Sequence, residues 1–133
     1  MIKTIAAVVV VIAGIYFIAL GVSALLVPAF AKRFLLGFAG SPRAHYAELL
    51  ARFMVGGAFL MLSPGMMFSS VFHVGGWVLI ATTAALLLVP WHWHRRFADY
   101  AVPRALRYIT LIGLCSLLLG GAVLVALVRG ADV

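Results

Sequence analysis

Acidic side chains are nearly missing from this sequence. Glu48, Asp99 and Asp132 are the three carboxylates among 133 residues, against ten Lys and Arg, leaving a formal charge of +7. Charges of both signs make up only 10% of the chain, whereas a water-facing domain carries about a quarter. A surface so poor in charge cannot face water over most of its area, so hydrocarbon is its expected surroundings. Cysteine is scarce too. Cys115 stands alone inside an apolar run, so no intrachain disulfide can form. Enzyme signatures are missing as well: there is no Ser-His-Asp set, His-Glu-x-x-His helix, phosphate loop or dinucleotide fingerprint. The basic excess sits in short stretches between apolar runs. That placement suits anionic lipid headgroups and argues against nucleic acid.

What the sequence has is hydrophobicity, 66% of its residues. A bilayer core about 30 Å thick takes roughly 20 helical residues, and four runs meet that length, at about 5–27, 44–62, 70–89 and 106–128. Backbone polar groups must be bonded internally in lipid, so these runs are expected to be helices. The expected fold is an all-α integral membrane four-helix bundle in one domain covering 1–133. The first run could be mistaken for a signal peptide, but from Thr4 to Ala31 it exceeds the about 7–15 apolar residues of a signal core. It is expected to be a retained span.

Short segments punctuate the runs. Pro28 ends the first. Phe30, Phe34 and Phe38 then recur every four residues, which predicts a short amphipathic helix in the interface. Ser41 is placed to cap the next helix and Pro42 to open it. Its polar first turns, with Arg43, His45, Glu48 and Arg52, are expected among headgroups. Ser63-Pro64-Gly65 is the best turn signal in the uncharged stretch that follows, although Gly75-Gly76 would allow a later start to the third span. After Pro90 an aromatic and basic segment suits the headgroup layer, and Pro103 is placed to open the last helix.

With four spans, the first and third loops share a side. They carry Lys32, Arg33, Arg43, Arg52, Arg95, Arg96, Arg104 and Arg107, while the other side has Lys3 and Arg129. The positive-inside rule puts the first group in the cytoplasm and both termini outside it.

Few residues are candidates for chemistry. Arg52 is the deepest formal charge, and Glu48 precedes it by four residues, the favourable order for a helical ion pair. With Arg43, this pair is a candidate site for an anionic ligand or lipid headgroup; otherwise Arg52 snorkels to the interface. The run Trp91, His92, Trp93, His94, Arg95, Arg96 is a second headgroup candidate. His92 and His94 point about 200° apart on a helix and have no carboxylate in their own run, so they read as membrane anchors and no metal site is expected there. Met61, Met66, Met67 and His73 offer soft ligands for copper near the far turn, without a specific spacing. No cofactor is expected. Small residues four apart (Ala19 and Ser23, Ala81 and Ala85, Ser116 and Gly120, Ala122 and Ala126), together with Gly56-Gly57 and Gly120-Gly121, favour close helix packing or self-association.

Gly21 with Leu25-Leu26-Val27-Pro28, the amphipathic stretch after it, and Arg52 followed by Gly56-Gly57 resemble small uncharacterised bacterial four-helix inner-membrane proteins. The likeness covers the first half of the chain and implies fold and location only. The expected function is that of a non-enzymatic accessory or assembly subunit of an inner-membrane complex, contacting lipid and other membrane subunits. The alternative is binding or transport of an anionic lipid, quinone or similar amphiphile between helices.

Overall fold

A computed structural model describes residues 1–38 and 40–131. Asp132, one of the three carboxylates, lies outside the described residues. Among the described residues six α-helices follow one another: α1 (Ile2–Leu26), α2 (Pro28–Gly37), α3 (Pro42–Leu62), α4 (Ser69–Leu88), α5 (Trp91–Ala105) and α6 (Ile109–Ala131). A 3-10 turn, Ser63–Gly65, joins α3 to α4, and another, Leu106–Tyr108, joins α5 to α6. No strand occurs among the described residues. Helices α1, α3, α4 and α6 supply four segments long and apolar enough to cross a membrane. The chain is a multi-pass helical membrane protein.

Local chemistry sets the boundaries. Val27 N–H closes α1 on the Ser23 carbonyl (2.8 Å), and Pro28, which lacks an N–H, starts α2 at its first position. Ser41 Oγ accepts from Ala44 N–H at 3.2 Å and caps α3, with Pro42 behind it. Pro103 does not open the last helix. It lies inside α5, and a short 3-10 stretch after Ala105 separates α5 from α6. Proline removes one N–H and crowds the carbonyl four residues before it, and α5 carries both in its last turn.

Two helix pairs form the packing. Helix α1 runs antiparallel to α6, and Gly14 and Gly21 on one face those of Gly120 and Gly113 on the other. A Cβ on Gly120 would stand 2.7 Å from the Gly14 carbonyl oxygen, and one on Gly21 would stand 2.7 Å from that of Gly113. The backbones therefore touch. In lipid, where burial of apolar surface gives little drive, such close approach is what holds helices together. The second pair, α3 with α4, meets at Gly56 and Gly76, where a Cβ on Gly76 would lie 2.9 Å from the Gly56 carbonyl oxygen. Gly75-Gly76 thus belongs to the interior of α4 and does not delay its start.

The pairs join through α1 against α3. Val10, Ala58, Phe59, Met66, Phe72, Val123 and Ala126 fill one core where all four spans converge. A smaller cluster at the opposite end seats α2 through Ala31 on Ala24, Leu106 and Ile109. The phenylalanines of α2 face away from that seat: Phe30 and Phe34 are exposed, and the rings of Phe34 and Phe38 meet edge to face at 5.1 Å. The interfacial segments expected in loops 1 and 3 correspond to α2 and α5. Connectivity puts both at one end of the bundle, with Ser63–Gly65, the start of α1 and the end of α6 at the other.

Candidate functional site

The polar side chains of the membrane-embedded part gather toward the end that carries α2 and α5. On α3, His45, Glu48 and Arg52 are three and four residues apart, so they share one face. On α4, Thr82 and Thr83 donate their hydroxyl protons to carbonyls of the preceding turn, Val78 at 2.7 Å and Leu79 at 2.6 Å. That leaves oxygen lone pairs facing α3. Arg52 fills them: its Nη2 donates to Thr82 Oγ1 at 2.8 Å and its Nε to Thr83 Oγ1 at 3.3 Å. The remaining Nη1 stands 3.7 Å from Glu48 Oε1, a loose ion pair. Arg52 therefore has its guanidinium engaged by three side chains of its own chain. It ties α3 to α4. Arg43, the third member of the expected set, is exposed one turn and more away.

The aromatic and basic run divides by face. Trp91, His94 and Ala98, spaced as one helical face, turn inward on α5, whereas His92, Trp93, Arg95 and Arg96 are exposed. Arg95 reaches back over the Trp91 ring at 5.4 Å. His92 touches Trp91, with ring centroids 4.9 Å apart.

The inward face has a consequence that sequence spacing did not disclose. His94 has its partner on another helix: its ring centroid is 4.4 Å from that of His45. His45, in the polar first turns of α3, is turned inward against α5; it is 1% exposed, the largest fully buried side chain among the described residues. Among the described residues its Nδ1 has no hydrogen-bond partner, and neither has the buried Nε1 of Trp91. One ligand atom each from His45, Glu48 and His94 fall within 4.8 Å of one another. The carboxylate missing from the His92-His94 run is thus supplied by α3. The signal available in the sequence was parity: α3 starts and α4 ends at the same side of the membrane, so His45-x-x-Glu48 and the residues after Pro90 had to share an end.

The soft-ligand candidates at the other end are spread over core and surface, with Met67 partly buried against the same core as Met66. Met66 is buried in the core beside Phe72, Met61 is exposed, and His73 Nδ1 lies 3.4 Å from the Ser63 hydroxyl. A separate apolar crevice of about 180 Å³ runs between α1 and α2, under Phe30 and Phe34 and beside Tyr16 and Ser23.

No family model matches this chain, and neither a curated protein nor a solved structure is significantly similar to it.

Proposed function

We propose that the chain is a non-enzymatic accessory or assembly subunit of a larger complex in a bacterial inner membrane. One observation supports this above the others. The deepest charged group is satisfied within the chain, by Thr82, Thr83 and Glu48, while α4 packs chiefly on α3. Val71, Val74, Trp77 and Val78 occupy the remaining girth of α4 and are exposed. Ala81 and Ala85, also exposed, are one turn apart there and give a transmembrane helix of another subunit room to approach. The basic residues of α2, α3 and α5 lie at one end, which supports a cytoplasmic position for that end and extracytoplasmic termini.

Photo-crosslinking in native membranes tests the subunit reading. A photoreactive residue at Val78 or Ala81 is expected to give one adduct of defined mass, shared by both positions. The same residue at Leu118, exposed on α6, is expected to give none. Native electrophoresis should show the unmodified chain in a complex of the corresponding size. Migration as a lone monomer, or equal adducts from Leu118, overturns the reading. Orientation is tested in a Cys115→Ser background: Pro64→Cys should label from outside intact cells and Arg95→Cys only after permeabilisation.

A second reading, binding of an anionic amphiphile, draws on the rim of α5. There Arg104 stacks over Tyr100 at 3.5 Å and Arg95 over Trp91 at 5.4 Å. Such pairs hold cations at headgroup depth. Replacing both arginines by Gln should lower co-purifying anionic lipid, whereas Arg52→Gln should not.

A further inference from the structure

We propose that His45, Glu48 and His94 form a binding site for a borderline divalent transition-metal ion of the zinc type, clamping α5 onto α3. The inference is independent of the subunit reading. Its ground is the donor set: two imidazoles and one carboxylate, with ligand atoms all within 4.8 Å of one another. Two nitrogens and one oxygen are a common protein ligand set for zinc, with solvent completing the tetrahedron. Hard ions such as magnesium, which favour oxygen, fit it poorly.

A second observation points the same way. His45 is 1% exposed, and its Nδ1 is buried without any hydrogen-bond partner. A buried polar atom left bare costs free energy, so an unexplained one calls for a missing partner. An ion bound among these three side chains supplies one. The two imidazole rings stand with centroids 4.4 Å apart, so a nitrogen of each is within reach of one ion.

The geometry requires modest closure. Ligand atoms around a tetrahedral zinc ion stand about 3.3 Å apart, given bonds near 2.0–2.1 Å. His45 and Glu48 are fixed on α3 at a three-residue spacing, so the movement falls to His94. It sits in the first turn of α5, half-buried and held by no side-chain hydrogen bond among the described residues. Glu48 keeps capacity for the ion, since its contact with Arg52 Nη1 is long at 3.7 Å and uses one oxygen. Arg52 in turn has Thr82 and Thr83 as acceptors, so Glu48 can turn toward the imidazoles without stranding the guanidinium.

The test uses the full chain purified in mild detergent, stripped with chelator and titrated with zinc alone, then with cobalt as a spectroscopic stand-in. One ion per chain is expected, with visible cobalt bands of tetrahedral intensity and a zinc-dependent rise in the thermal midpoint. His94→Ala, at a half-buried position that leaves the fold intact, should weaken zinc binding at least tenfold and abolish the thermal shift. Glu48→Gln should weaken binding while the variant stays folded. His92→Ala and His73→Ala should bind as the unaltered chain does. Absence of stoichiometric binding at 100-fold excess zinc overturns the proposal. So does equal loss in His92→Ala, which would mark adventitious surface binding.

Discussion

The guanidinium of Arg52 and the hydroxyl of Thr82 are joined across two transmembrane helices by a hydrogen bond of 2.8 Å. The bond exists because Thr82 spends its own proton on the Val78 carbonyl and so presents lone pairs to α3. Thr83, 0% exposed, repeats the arrangement one residue on. A charged donor thereby becomes part of the helix packing. Interhelical polar couplings in membranes average about 0.6 kcal/mol and reach about 1.7. Arg52 is partly exposed, with 31% of its side chain accessible, so the lower half of that range applies. A double-mutant cycle of Arg52→Ala with Thr83→Val, read by detergent-driven unfolding in mixed micelles, should return a coupling of about 0.5–1 kcal/mol. A coupling of zero would mean that the pair is decorative.

Neighbouring glycines on α6 should behave oppositely. A methyl group on Gly120 would meet the Gly14 carbonyl oxygen at 2.7 Å and the Ile18 backbone nitrogen at 2.9 Å, and neither can yield. Gly121 has nothing within 4 Å of the same point. Gly120→Ala should force α1 from α6 and cost about 1–3 kcal/mol, whereas Gly121→Ala should be neutral or gain up to about 1 kcal/mol from helix propensity. Unfolding midpoints in the same micelles decide it. Equal effects would show that the two helices do not meet at this seam.

Phe68 stands in a left-handed conformation, φ 61° and ψ 41°, where it ends the turn before α4. A side chain is strained there by roughly 1–2 kcal/mol, and glycine is not. The ring is exposed, so little packing is lost with it. Phe68→Gly should therefore stabilise the fold by about 0.5–1 kcal/mol after its extra unfolded-state freedom is subtracted. Phe68→Ala keeps the Cβ and should not. A thermal midpoint that rises equally for both would place the gain in the ring instead of the backbone.

Much of the architecture is readable from the sequence because lipid imposes a length and a composition on each span. The four runs, the turn at Ser63-Pro64-Gly65, the cap at Ser41 and the interfacial helices all follow from local patterns. Partner choice is not local. Spacing within one helix singled out Ser116 with Gly120 and Ala81 with Ala85, yet the α1–α6 seam is made by Gly14, Gly21, Gly113 and Gly120, spaced by seven within each helix. Ala81 and Ala85 face outward. His45 and His94 illustrate the same limit more sharply. Each lacks companions inside its own segment, and only the return of α4 to the starting side of α3 brings them together. Pro103 was misjudged for a converse reason. Proline removes one hydrogen bond and crowds the preceding turn, and in the last turn of α5 both are tolerated.

The end of α6 provides a last prediction, at the contact between Gly130 and Gly65. Helix α6 reaches the 3-10 turn so closely that a Cβ on Gly130 would overlap the Gly65 carbonyl and approach Met66 Cα to 2.7 Å. Beside it, Met67 N–H donates to the Ala126 carbonyl at 3.1 Å. This backbone bond lets α6 hold the turn between α3 and α4, and Met66 follows into the core with Phe72 and Val123. Gly130→Val should push the turn off α6 and break the bond. Hydrogen exchange at the Met67 amide is the direct readout, and its protection should fall at least about tenfold, equivalent to about 1.4 kcal/mol of local opening. Amides in the middle of α3 should keep theirs, because the Gly56–Gly76 contact lies turns away. Were Met67 to stay protected in the valine variant, the turn would have to be held by Met66 packing alone, and the glycine at this helix end would have no structural task.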